Sequence, residues 1–261
     1  MQLAPIPVSD LSLSTSDMGR ATYLQNHPLA KEPLVNLEDF GIACQPFTER
    51  EIIVSRTTPP LKTTHMTQGV WCRKTPAEML QQANAAVRSH GLSLYVKDAY
   101  RPLGVQQDYW DYFINLAKER TGSADMAVLV KDAEKFCSNP TRFDAQNPAT
   151  WPLHITGGAI DLTLVDKATG KELLMEPQNS GYGNISHTHH AELMLEETPS
   201  AEWTEIAKNR RILYYAMLHA GFTNYPHEWW HYDFGTPMYG LLTNPQQPEF
   251  FYGYIDLQKS L

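Results

Sequence analysis

Three things are scarce in this chain of 261 residues, and each scarcity excludes a class of function. It has no run of five or more basic residues and a net charge of -8, so the clustered Lys and Arg of a broad nucleic-acid surface are missing. It has no stretch of about 18 or more apolar residues, the length a membrane-spanning helix needs. Its cysteines are only Cys44, Cys72 and Cys137, far apart and in neither CxxC nor zinc-finger spacing, which excludes a disulfide framework. The opening Met1-Gln2-Leu3-Ala4-Pro5 has neither the basic start nor the continuous apolar run of a secretory signal. The expectation is a soluble protein of a reducing compartment, the cytoplasm, with no nucleic-acid and no membrane partner.

What is present is globular: 42% of residues are apolar and 19% charged, enough to bury a core in one domain. Residues 1–70 are rich in Pro, Ser and Asn and read as an irregular segment packed on the core of a domain formed by 71–261. Within that segment, Ile52-Ile53-Val54 running into Pro59-Pro60 suggests one short strand.

Thr75-Pro76-Ala77-Glu78 has the pattern of a helix start, with Thr75 as N-cap, and the apolar spacing of Met79, Leu80, Ala83 and Val87 carries the helix to Gly91. Ser93 to Val96 reads as a strand that delivers Asp98-Ala99-Tyr100-Arg101-Pro102 at its end, where side chains commonly face a cleft. Two helices follow over 104–119 and 125–137, the aromatics of the first serving as packing. Residues 159–165 read as a strand turning through Gly170 into a hairpin, 178–190 as a mobile loop, and 203–220 as a long helix stopped by Gly221. Residues 228–234 read as an aromatic strand, and the aromatic tail beyond Pro248 packs back on the core.

The chemistry sits in two segments. One is His154-Ile155-Thr156-Gly157-Gly158-Ala159-Ile160-Asp161; the other is Glu228-Trp229-Trp230-His231-Tyr232-Asp233-Phe234. Imidazole nitrogens and a carboxylate are zinc ligands, and three protein ligands with one open position for water define a catalytic zinc site. His154, Asp161 and His231 make such a set, and Glu228 can take a proton from the water, which points to amide hydrolysis. One geometric problem arises. Side chains three apart on an ideal strand face opposite ways, so a bulge, or a bend with Glu228 in the preceding turn, must bring Glu228 and His231 together.

These segments resemble the zinc D-alanyl-D-alanine dipeptidases, a family within the D,D-peptidase superfamily that includes vancomycin-resistance members. The family's Ser-x-His-x-x-Gly-x-Ala-x-Asp pattern is met by His154, Gly157, Ala159 and Asp161, its Glu-x-x-His by Glu228 and His231, and its Asp-x-Tyr-Arg-Pro by Asp98, Tyr100, Arg101 and Pro102. The resemblance implies one zinc ion held by His154, Asp161 and His231, Glu228 as general base and acid, Arg101 as oxyanion stabiliser, and a small dipeptide as substrate. It also implies an α+β fold in which a small, largely antiparallel sheet carries the metal and helices cover one side. Pro152 stands where the pattern has Ser, a departure that bears on the amino-terminal residue accepted rather than on the chemistry.

Alternatives stay open at this point. His154 alone is a loop histidine, Glu228 a cap or ion-pair partner, and Arg101 the partner of Asp98 in a structural ion pair. His187, His189 and His190 have second-metal spacing, but a solvated loop is the better reading. A D,D- or L,D-carboxypeptidase would use the same site. Two histidines and a carboxylate also make the facial triad of non-haem iron oxygenases, and a closed zinc site would leave a binding module without turnover.

Overall fold

The computed structural model describes residues 3–46, 49, 51, 53, 57, 59–62, 69–178 and 183–256. Of the short strand expected before Pro59, Ile52 and Val54 lie outside the described residues. The first seventy residues supply β1 (Thr22–Tyr23), β2 (Leu34–Asn36) and β3 (Ala43–Cys44). β4 (Trp71–Arg73) runs directly into helix α1 (Lys74–Arg88); β5 (Leu92–Asp98) leads into α2 (Leu103–Thr121) and α3 (Met126–Ala133). Then follow β6 (Ala159–Asp166), α4 (His190–Glu197), α5 (Ala201–His219), β7 (Thr223–Asn224), β8 (His231–Asp233), α6 (Pro237–Thr243) and β9 (Glu249–Phe250).

The central sheet has the order β3-β5-β6-β8-β7, parallel only between β3 and β5. It is a small, largely antiparallel sheet of an α+β fold. Alternation along its strands separates two faces. Leu92, Leu94 and Val96 of β5, Ile160, Leu162 and Leu164 of β6 and Tyr232 of β8 point into one core with Leu80, Ala83 and Val87 of α1 and Leu213, Ala216 and Met217 of α5. Each fully buried Leu or Val there is worth about 1.5–3 kcal/mol. The opposite face carries Asp161, His231 and Asp233. No helix among the described residues is long and apolar enough to cross a membrane.

The segment expected to be irregular in fact gives one strand to each of three sheets: β1 pairs with β9, β2 with β4, and β3 with β5. Strands of two or three residues are too short to leave a period in the sequence. Its Glu32 also corrects the expected cap of α1. The helix begins at Lys74 with Arg73 as a cap that offers no side-chain bond, while Thr75 donates its N–H to Glu32 Oε2 at 3.1 Å. The tail does pack back: Phe250 and Tyr252 are fully buried.

Candidate metal centre

Three strands place three polar residues in one row. Asp98 on β5 pairs with Asp161 on β6, which pairs with His231 on β8. Asp98 reaches this row because the register slips at Lys97: Val96 faces Leu162 and Asp98 faces Asp161, so one extra residue on β5 turns the aspartate from the core face to the site face. His154 arrives from outside the sheet, on the single 3-10 turn Leu153–Thr156 that Gly157 ends at φ +74°. A Cβ at Gly157 would lie 2.7 Å from Leu34 Cδ2, so both its backbone angle and its space call for glycine.

His154, Asp161 and His231 each offer a ligand atom within 4.8 Å of the other two. His154 Nε2 is 3.3 Å from Asp161 Oδ2, and His231 Nδ1 is 2.9 Å from Asp161 Oδ1. The other nitrogen of each ring is engaged. His154 Nδ1 is 2.8 Å from the Ala99 carbonyl, which only accepts, so Nδ1 carries the hydrogen and Nε2 presents its lone pair. His231 Nε2 is 3.0 Å from Oδ2 of the fully buried Asp233, whose Oδ1 accepts from Thr236 Oγ1 at 2.7 Å.

A neutral His231 donating to Asp233 would turn its Nδ1 lone pair against an oxygen of Asp161. Something positive must lie between them. In the protein alone it is a proton: burial opposes the imidazolium, but the carboxylates of Asp233 and Asp161 outweigh it and raise the His231 pKa well above the usual range. Burial likewise works against the Asp161 carboxylate, and His154 and His231 hold its pKa low. A divalent cation fits the same position, since two imidazole nitrogens and a carboxylate are a zinc donor set and each histidine has the outer partner such ligands need.

Glu228 stands beside this group, its carboxylate 3.7 Å from His231 Nδ1. The expected strand over 228–234 is shorter than its aromatic pattern suggests. β8 begins at His231, and Glu228 lies in the turn before it, with Glu228 N–H donating to Tyr225 O at 3.0 Å and His231 N–H to Glu228 O at 3.3 Å. This is the bend that the three-residue spacing requires. Burial, with Asp161 and Asp233 adding to it against the pull of His231 and Arg101, pushes the Glu228 carboxyl up to about 7. Both Trp229 and Trp230 are buried in the core, and Trp230 also borders the cleft.

Arg101 makes the ion pair with Asp98, Nε to Oδ2 at 2.8 Å, and is aimed at the site as well, with Nη2 3.6 Å from Asp161 Oδ2. Gln106 Oε1 accepts from its Nη1 at 2.9 Å, and its guanidinium lies 4.4 Å from the centre of the Tyr109 ring. Burial alone would weaken its charge; Asp98, Tyr109 and Asp161 secure it. The aromatics of α2 therefore do more than pack, because Tyr109 supports the cation that faces the site.

A cleft of about 130 Å³ opens over these groups, walled by Arg101, Tyr109, Cys137, Pro152, Tyr225 and Trp230. His187, His189 and His190 stand apart from it. Among the described residues, only His154, Asp161 and His231 form a group able to share an ion. Nor is the histidine loop solvated as expected. His189 is 3% exposed, and buried Arg210 donates to the carbonyls of His187 and Ile185 at 2.9 and 2.8 Å. Burial, with His227 and His189 close by, pushes the His187 pKa down to about 4. The sequence reading overlooked Asp233, although its position two residues beyond His231 on a strand puts both side chains on one face.

The family model described as D-ala-D-ala dipeptidase matches residues 61–250 of the chain. A protein named D-alanyl-D-alanine dipeptidase from Synechocystis is 27% identical over 172 residues, covering 62% of this chain and 69% of that relative. Proteins of the same name from Streptomyces coelicolor and Enterococcus faecalis are 30% and 32% identical, covering 59% and 58% of this chain and 67% and 65% of theirs. Among solved structures, a vancomycin-resistance D,D-pentapeptidase VanY in complex with Zn(II) is 16% identical with a TM-score of 0.38, covering 74% of this chain and 89% of that one. The LdcB LD-carboxypeptidase is 18% identical with a TM-score of 0.36, covering 84% and 77%. The match over 61–250 takes in both segments that build the candidate metal centre as well as the arginine loop, and it places this chain in the D-Ala-D-Ala dipeptidase family of peptidases.

Proposed function

We propose that this protein hydrolyses the peptide bond of D-alanyl-D-alanine, or of a closely related dipeptide, with one zinc ion per chain held by His154 Nε2, Asp161 and His231 Nδ1. The observation that carries the reading is the convergence of those three donors within 4.8 Å, with the Glu228 carboxylate 3.7 Å from one of them. What a bound zinc supplies is a water of pKa about 7 and a Lewis acid for the scissile carbonyl.

The chain's own residues do the rest. Glu228 takes the proton of the attacking water on its carboxylate and passes it to the leaving amine, a task suited to a carboxyl whose pKa burial has moved toward neutrality. Arg101 Nη2 faces the oxygen that gains charge as the carbonyl becomes tetrahedral; Asp98, Gln106 and Tyr109 fix the guanidinium beforehand, so no reorganisation is needed at that moment. The cleft, of about 130 Å³, is on the scale of a small substrate such as a dipeptide. Pro152 borders it without a hydroxyl or an N–H to offer a substrate, so the amino-terminal residue accepted is set by other walls.

We read residues 71–261 as the catalytic domain and 1–70 as a segment integral to its packing. The cysteines Cys44, Cys72 and Cys137, all free, suit a cytoplasmic setting. Membership of a peptidase family favours hydrolysis over the iron-oxygenase alternative. The test is Glu228→Gln assayed on D-alanyl-D-alanine beside D,D-, L,D- and L,L-dipeptides, with and without chelator. Retained zinc with lost hydrolysis is expected; near-normal turnover by the variant, or full activity of the metal-stripped protein, would overturn the reading.

A further inference from the structure

The proposed reaction needs Glu228 and His231 to converge from positions three apart, and more than the turn's own backbone bonds holds them there. The clamp lies behind the turn. Asn224 on β7 is 9% exposed, and its Nδ2 donates to the carbonyls of both Glu228, at 3.0 Å, and His231, at 3.1 Å. One side-chain amide therefore spans the general base and the metal ligand. Its two hydrogens are both used, and its Oδ1 accepts from Thr188 Oγ1 at 2.6 Å. A flipped amide would set oxygen against two carbonyls, so the orientation is unambiguous.

Thr188 is 1% exposed and is itself fixed, its N–H donating to Pro226 O at 3.0 Å. The loop it belongs to is held from the helix layer by Arg210 of α5, which donates to the carbonyls on either side of Ser186, and Ser186 O accepts from Trp229 N–H at 2.9 Å. The side-chain nitrogens and oxygens of Asn224, Thr188 and Arg210 all have partners, and a buried network of that kind fixes a single geometry.

We propose that Asn224, oriented by the Thr188 hydroxyl, is the positioning residue that locks the turn between Glu228 and His231 in its working geometry. This rests on the reading of Glu228 as the general base. The role is asymmetric. His231 is also held by Asp233 and by Tyr225 N–H, which donates to its carbonyl at 3.0 Å, whereas Glu228 depends on the turn. Loss of the clamp therefore displaces the base more than the ligand.

The experiment compares wild type with Asn224→Asp, Thr188→Val, Thr188→Ser and Glu228→Gln, measuring kcat and KM on D-alanyl-D-alanine, zinc affinity by chelator competition, and Tm. Asn224→Asp keeps the shape but loses both donors, and Thr188→Val keeps the volume but loses the hydroxyl. Each lowers kcat about 10- to 100-fold, the scale of a misplacement of about 1 Å, with KM and zinc affinity changed no more than about threefold. Thr188→Ser recovers most of what Thr188→Val loses, and combining Thr188→Val with Asn224→Asp costs no more than Asn224→Asp alone. If Asn224→Asp does not fold, the Thr188 pair carries the test. Wild-type kcat in Thr188→Val and Asn224→Asp beside an inactive Glu228→Gln overturns this proposal alone, as does a kcat that falls only in step with lost zinc or lost fold. An active Glu228→Gln removes the base reading, and this role with it.

Discussion

His231 Nε2 and Asp233 Oδ2 lie 3.0 Å apart on one face of β8, and this contact decides which nitrogen of His231 faces the candidate metal centre. With Nε2 committed to the carboxylate, only Nδ1 is left for a ligand, whereas His154 is oriented the other way by the Ala99 carbonyl. An outer carboxylate on a ligating histidine is typically worth about 10- to 100-fold in metal affinity. Asp233→Ala is expected to weaken zinc binding by that factor, measured by competition with a chromophoric chelator. Asp233→Asn, which still accepts a hydrogen bond, loses less. Equal zinc affinity in wild type and Asp233→Ala would remove Asp233 from the site.

Arg101 gives a second prediction. Its fork engages Asp98 through Nε and Gln106 through Nη1 while Nη2 faces Asp161, a division of labour that a single ammonium cannot copy. Arg101→Lys keeps a positive charge beside Asp98, so the fold survives, but the charge is no longer fixed where the proposed reaction would form its oxyanion. The expected result is a fall in kcat of about 10²- to 10³-fold with little change in KM. A variant within threefold of wild type would leave Arg101 as the structural partner of Asp98 and nothing more.

The sequence made the site more legible than its supports. His154, Asp161, Glu228 and His231 could be named as candidates because chemistry restricts which residue types can hold a metal and move a proton, and Arg101 because its loop resembles a family motif. The bend that joins Glu228 to His231 followed from the conflict between a three-residue spacing and a two-residue period. Helices α1 and α5 were plain from their apolar spacing. The supports were hidden for a physical reason: Asn224 and Thr188 act through register and long-range contact, and neither leaves a local pattern. Nor did strands as short as β1, β3 and β7, which exist only because partners distant in sequence supply their hydrogen bonds.

Gly158 supports a third prediction, about how closely β6 and β8 must approach. A Cβ on Gly158 would stand 2.3 Å from the Phe234 carbonyl oxygen, and Phe234 N–H donates to Gly158 O at 3.0 Å. The obstacle is backbone, so the strands themselves must separate, and with them Asp161 and His231. Gly158→Ala should cost about 1–3 kcal/mol in stability, the usual scale for overpacking a tight site, and reduce zinc affinity together with Tm. A variant with unaltered Tm and unaltered zinc affinity would mean that the sheet absorbs a methyl group there without moving the ligands.

The last prediction concerns the cost of keeping Glu228 ready. In the metal-free protein its carboxyl is pushed up to about 7 by burial and by Asp161 and Asp233, against an ordinary value near 4.5. Between those two values the folded state holds a proton that the unfolded chain has released, so this residue makes stability fall as pH rises through the window, and above about 7 the penalty is complete. Gln cannot ionise and does not incur that penalty. Metal-free Glu228→Gln should therefore be more stable than metal-free wild type at pH 8, by about 3 kcal/mol. The two should converge below pH 4.5, where Glu228 is protonated in both states. Denaturant unfolding of the stripped proteins at pH 4, 6 and 8 measures the difference. A gap that stays constant across that range would mean that Glu228 carries no raised pKa, and that its readiness as a base must come from the bound metal instead.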